Sequence, residues 1–343
     1  MGESDNGPRE LTTIESVLAN GLSHLPEFLS QTAFGAISRL VTGLVDIPAI
    51  ALAGYKERLE DRNKETRTLR QALSNAAIAK IVEDDAIVQR TVDRLINEEV
   101  NKQRSREAVA SGTLTILAER SQQTSDQKVD EDWLDSFINK AETARSDEMR
   151  ALWSRVLAGE IATPGSFSKR SLEVLKTLDR QEAEKFSKIV QLSFGNIIPT
   201  ESIGKSGDNF SDARVLEDLG LLSGVLGTLA KPLMHTPGKL FGGLAGRRFH
   251  LQVHSTAEVS VKAVFLTQVG RELAYLVEDP DGMHELAVAR SIGYSLVGQA
   301  TSAMILRKNE HRQLSDPELL FGTMEYRADS DSFVVRTNLD ASE

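Results

Sequence analysis

Apolar residues return every three or four positions through most of this chain, the period of a helix with one buried face. Residues 1–10 lack it and read as a disordered tail. Residues 11–30 hold one short periodic helix, broken near Pro26. The stretch "QTAFGAISRLVTGLVDIPAIALAG", residues 31–54, is the most apolar window. Its Gly35, Arg39, Thr42 and Asp46 fall on one narrow stripe of a helix, and the remaining surface is apolar. Arg39 and Asp46 are therefore candidate interaction residues. A membrane span needs about 20 apolar residues, and these charges together with Pro48 make insertion costly. A core or partner-facing helix is expected, with contact to a membrane surface as the alternative.

Residues 55–120 switch to dense mixed charge, the pattern of a solvated helix face. Ile78, Ile81, Val88, Val92 and Leu95 are separated by threes, fours and their sum, with Asp85 interrupting. Long amphipathic helices in a hairpin or short coiled coil are predicted. Residues 121–132 are polar without apolar period and read as a linker.

Four short helices are expected over 130–194. Asp130 can cap one carrying Trp133, Leu134 and Phe137, and Ser146 a second carrying Trp153, Val156, Leu157 and Ile161. Pro164 and Gly165 stop the second helix. Ser168 starts a third with Leu172 and Leu175, and Asp179 with Glu182 forms the capping box of a fourth with Phe186, Ile189 and Val190. Short turns make this a compact antiparallel bundle.

The pattern changes over 195–282. A short helix capped by Ser211 closes at Gly220, "RFHLQVHS" and "VSVKAVFL" alternate as paired strands would, and Thr267 caps a last helix. This order is that of a winged helix. Residues 223–248 are rich in glycine and far longer than a hairpin connection, so they read as a functional or disordered loop. Residues 283–310 are expected to be helical, and "MEYRADSDSFVVR" to form a hairpin turning at "DSDS". The fold class is mainly α with a small α+β part: a central four-helix module followed by a winged-helix-like C-terminal region.

Composition narrows the chemistry. The 343 residues suffice for two or three domains, and 40% hydrophobic content supports a sizeable core. The chain has no cysteine, which excludes disulfides, thiolate metal sites and cysteine nucleophiles. A formal net charge of -10 repels phosphate backbones, so nucleic-acid binding would need a local basic patch. Arg247 and Arg248 are the candidates for such a contact, yet two arginines are a weak footprint. The polar, acidic N-terminus does not read as a signal peptide, and a cytoplasmic location, peripheral to the inner membrane if residues 31–54 touch lipid, is expected.

No complete catalytic or cofactor constellation emerges. "IGKSGD" resembles the end of a phosphate loop, but the glycine required five residues before Gly204 is Pro199, so a polar interdomain turn is expected. His250 and His254 share one face of a strand about 13 Å apart, too far for one metal. No G-x-S-x-G elbow occurs. No cofactor and no metal is therefore expected.

The stretch "LWSRVLAGEIATPGSFSKRSLEVLKTLDRQEAEKF", residues 152–186, carries Trp153, Gly159, Glu160, Pro164, Gly165, Phe167 and Phe186. With these it resembles an uncharacterised bacterial family, domain of unknown function 2806, and a related pattern runs through abortive-infection alpha-like proteins. Leu219, Gly220, Leu221, Thr267, Gly270 and Leu273 fit the same organisation. The resemblance implies no catalytic residues, and its abortive-infection side implies a role in phage defence. The expectation is a non-enzymatic protein-interaction or sensor protein, with self-association or a protein partner. A membrane-associated effector acting through residues 31–54 and a winged-helix transcription regulator are the alternatives.

Overall fold

The structure is a computed structural model and describes residues 28–42, 85–119, 125–227, 229–233, 241–255, 257–277, 279, 282–308, 314–327 and 332–336. The expected tail, the body of the helix at 11–30, Asp46, and the seam positions Ile78 and Ile81 lie outside them. The chain divides into two compact units, Met1–Lys176 and Thr177–Glu343.

The first unit is helical: α1 (Gln31–Thr42), α2 (Asp85–Glu119), α3 (Glu131–Ala141), α4 (Asp147–Ala162) and α5 (Lys169–Thr177). Local signals set most of the boundaries. Asp130 accepts from the Trp133 amide at 2.8 Å, and Ser146 accepts from the Met149 amide at 3.2 Å. Ser168 takes the Ser171 amide at 3.2 Å. The core centres on Trp133 stacked on Phe137, with Trp153 meeting the same ring edge-on at a centroid distance of 5.5 Å. Leu157, Ile161, Leu172 and, from α2, Val109 and Leu117 complete it. α4 lies close along α2, where Ser154 bonds the Val109 carbonyl and Gly112 leaves room for the serine. The expected linker is not free: Val129 is buried and the Ser125 carbonyl accepts from Ser30 and Thr32.

α1 buries Phe34, Ile37, Leu40 and Val41 inside this unit. The apolar surface read as a membrane contact is therefore spent on the core as far as Thr42, because Gly35 and Gln31 are the positions it leaves exposed. No helix among the described residues is long and apolar enough to cross a membrane. On α2, Leu95 and Val100 stand exposed, so the predicted seam meets no partner helix there among the described residues.

The second unit mixes helices with antiparallel sheet. It runs α6 (Arg180–Val190), β1 (Ile197–Pro199), α7 (Thr200–Ile203), α8 (Asp208–Asp218), β2 (Leu222–Ser223), β3 (Ala230–Pro232), β4 (Phe241–Ala245), β5 (Phe249–His254) and β6 (Ser260–Leu266). It continues through α9 (Gln268–Ala274), α10 (Met283–Ser295), β7 (Ser302–Lys308), β8 (Leu314–Phe321), β9 (Thr323–Arg327) and β10 (Ser332–Arg336). β6 lies between β1 and β2 and also pairs β3; a second sheet has the order β4-β5-β7-β8. One core joins both sheets to α10 through Phe194, Leu251, Val253, Val261, Ile292 and Ile305.

Several expectations change here. The expected strand pair is split, since β5 pairs β4 and β7 while β6 pairs β1, β2 and β3. Both strands alternate, and alternation identifies a half-buried strand without naming its partner. The glycine-rich 223–248 stretch supplies β3 and β4 and is not one loop. α8 starts at Asp208, a turn before Ser211, because Gly207 at φ +91° serves as its N-cap. The helix expected over 283–310 stops at Ser295 and gives way to β7. α6 carries its predicted capping box but belongs to the second unit, where it packs on α8 and Lys188 meets Asp212 at 2.8 Å. The central module is thus not one four-helix bundle. "IGKSGD" is a turn between α7 and α8 inside that unit, not between domains.

Candidate functional site

Buried carboxylates mark two sites, one in each unit. In the first unit, α4 ends at Ala162 and the chain turns through Pro164 and Gly165, the latter at φ +88°. Glu160, 2% exposed, reaches forward over this stop. Its two oxygens accept from the Gly165 amide at 2.7 Å and the Phe167 amide at 3.0 Å. A Cβ at Gly159 would come within 2.9 Å of the Phe167 ring, so glycine there lets the ring close over the turn. Trp153 and Phe167 are buried in the same unit, and Phe186 is buried on α6 of the other. The Glu160 carboxylate and the Phe167 ring are packed inside the unit, while Thr163 and Gly165 of the turn face solvent.

The second site is a cleft of about 50 Å³ in the second unit. Val190 ends α6 and Ser193 and Gly195 follow it, Arg247 and Arg248 form the β4–β5 turn, Asp279 follows α9, and His284 and Glu285 open α10. Glu285 is 6% exposed, and its carboxylate accepts from the Arg247 amide and, at 2.8 Å, from the Arg248 amide. Gly246 makes room for it, since a Cβ there would collide with the carboxylate. Burial pushes the Glu285 carboxyl above the usual carboxylate range, while the two amides and the charges of Arg247 and Lys308 pull it back. The Lys308 ammonium donates to the Gly246 carbonyl at 2.5 Å and braces the same turn.

With its backbone held, Arg247 lays its guanidinium 4.9 Å from the ring centroid of Tyr275. One of its nitrogens donates to the Ala274 carbonyl at 3.4 Å. Arg247, Arg248 and His284 are exposed, and so are Tyr275 at 62% and Met283 at 60%. The arrangement is a cation held on an aromatic shelf beside a small recess.

The other singled-out residues lie elsewhere. Arg39 is tied to Asp135 at 2.6 Å, an ion pair inside the first unit, and Asp46 lies outside the described residues. His250 is half-buried next to Gly243, which leaves space for its imidazole, and burial lowers its pKa, with Lys308 adding to the effect. Burial lowers that of His254 as well. No group of three or more His, Asp or Glu side chains among the described residues is arranged to hold a metal. Glu285, Tyr275 and Asp279 escaped the sequence reading. The one available signal was an acid in the first turn of a helix following Gly282, which ordinarily marks dipole compensation and not a site.

Among the described residues the first unit is helical and the second mixes helices with antiparallel sheet, and the exposed chemistry described above gathers on the latter. Residues 89–198 match the model of a family described as protein of unknown function (DUF2806). That region runs from α2 to β1 and stops short of Arg247, Tyr275 and Glu285. No curated protein matches the chain, and no solved structure does.

Proposed function

We propose that this protein acts by docking another protein and not by catalysing a reaction, and that the β4–β5 turn of the second unit carries the docking surface. The observation behind this reading is the Arg247 guanidinium over the exposed Tyr275 ring, its backbone held by Glu285, with Arg248 exposed on the same turn and Met283 exposed at the start of α10. Tyrosine, arginine and methionine are the residues enriched where protein interfaces concentrate their binding energy. A guanidinium already stacked loses little freedom on binding.

The order α6–β1–α7–α8–β2–β6, with β6 between β1 and β2, supports a winged-helix reading in which β3, β4 and β5 are inserted at the wing. α8 would then be the recognition helix. It carries Asp208, Asp212, Glu217 and Asp218, and its Arg214 is held by Glu217 at 2.6 Å, which suits a protein contact far better than a DNA groove. The abortive-infection resemblance suggests phage defence as the setting.

A photo-crosslinking residue at position 283 of the full chain tests the reading in cells. A discrete adduct that Arg247→Ala abolishes is expected. A smear indifferent to Arg247, or nucleotide turnover that Lys205→Ala abolishes, would refute it.

A further inference from the structure

We propose that the partner segment captured at this surface is an acidic peptide, whose Asp or Glu carboxylate is gripped by Arg247 and Arg248 while an apolar neighbour lies on Tyr275 and Met283; this rests on the docking reading above. The first ground is two exposed arginines that hold no carboxylate in an ion pair. Arg39, Arg106, Arg214 and Arg290 each hold a carboxylate. Arg247 and Arg248 have no such ion pair among the described residues, although the chain carries 50 acidic residues against 40 basic. The second is geometry. Glu285 fixes the backbone of both arginines through their amides, and the Tyr275 ring and the Ala274 carbonyl hold the Arg247 guanidinium. A planar fork held in this way matches a carboxylate bidentately.

The third ground favours a short peptide over a nucleic acid. The net charge of -10 works against a long phosphate backbone more than against a peptide carrying a few carboxylates. The exposed ring of Tyr275 and the side chain of Met283 offer contact area that a peptide side chain can use.

The test is fluorescence anisotropy on the full chain with three labelled probes: a short peptide of glutamate and leucine, the same peptide with glutamine for glutamate, and a single-stranded oligonucleotide. The acidic peptide is expected to bind, with affinity falling as salt rises. Its glutamine counterpart is expected to bind about tenfold more weakly or not at all, and Arg247→Ala with Arg248→Ala to cost the acidic peptide a similar factor. The milder Tyr275→Leu keeps apolar area but removes the stack, and a severalfold loss is expected. Hydrogen exchange over β5 checks that each variant stays folded. Equal binding of the glutamine peptide, preference for the oligonucleotide, or indifference to the arginines would overturn the proposal. If the position-283 adduct persists under any of those outcomes, docking stands and only the acidic partner falls. If the adduct is absent as well, the docking reading fails with it.

Discussion

Glu160 and Glu285 do the same chemical job in two units, and the comparison separates structure from function. Each carboxylate is nearly removed from solvent and each accepts two backbone N–H groups. Glu160 reaches residues five and seven positions ahead, across the stop of its own helix. Glu285 reaches back 37 and 38 positions to a turn between strands. The first clamp closes a core corner under Phe167, and the second holds two arginines at the mouth of a cleft. One glutamate therefore serves packing alone, whereas the other positions groups that face outward.

The largest effect is expected at Glu160. Glu160→Ala takes the acceptor from the buried Phe167 amide and from the Gly165 amide, at a cost of about 2–5 kcal/mol. Trp133 and Trp153, the two tryptophans of the chain, both lie in the first unit, so fluorescence-monitored urea unfolding reads that loss directly. Gly159→Ala presses a methyl group on the Phe167 ring and should cost about 1–3 kcal/mol by the same measurement.

Glu285→Ala should cost less than Glu160→Ala, about 1–2 kcal/mol, because cleft water can take over the Arg247 and Arg248 amides. Its signature is lost hydrogen-exchange protection over 246–250 together with lost peptide binding. A cost larger than that of Glu160→Ala would show that the Glu285 carboxylate is packed as tightly as that of Glu160, and the contrast would collapse.

The second unit should also respond to pH. The raised pKa of Glu285 means that the folded state binds its proton more readily than the unfolded chain does. The stability it contributes is full below the ordinary carboxylate range and declines as pH rises through the folded value. His250 and His254 act with the opposite sign. Their lowered pKa values give stability that is present above the ordinary imidazole value and lost as pH falls through the folded ones. Exchange protection of β5 should therefore pass through a minimum in mild acidity, between the ordinary carboxylate and imidazole values, and Glu285→Gln should remove only the loss seen as pH rises out of the carboxylate range. A curve that Glu285→Gln leaves unchanged would contradict this assignment.

The smallest stability effect belongs to Arg247→Ala. An exposed arginine without an ion pair should change unfolding by no more than about 0.5 kcal/mol. Binding of the acidic peptide should nonetheless fall sharply. A large stability loss would make Arg247 a structural residue and break the distinction drawn between the two clamps.

Much of the first unit, and the start of α6 in the second, was legible along the chain. Asp130, Ser146, Ser168 and the Asp179–Glu182 box sit at helix starts as their spacing implied, and Trp153 and Leu157 lie in the core. The use of Glu160 was not legible. An acid near the end of a helix ordinarily opposes the dipole, and only the bend of the chain beyond Pro164 brings the two amides within its reach. In the second unit the strands were legible and their partners were not. Ser211 misled because a serine before a helical run resembles a cap, whereas Gly207 had already turned the chain.

What the sequence by itself determined is the set of local structures: helix faces, caps, the Pro164–Gly165 stop and the alternation of β5 and β6. Each depends on residues within a turn or two of one another, where spacing fixes which side chain meets which backbone group. Tertiary structure alone decided that α6 joins the second unit, that β5 and β6 belong to different sheets, and that Glu285 lies under Arg247 and Arg248. Those outcomes depend on which distant faces are buried together. The same period-two pattern satisfies any strand partner that covers its apolar side, and a lone glutamate in a first helical turn gives no sign of the backbone that closes over it.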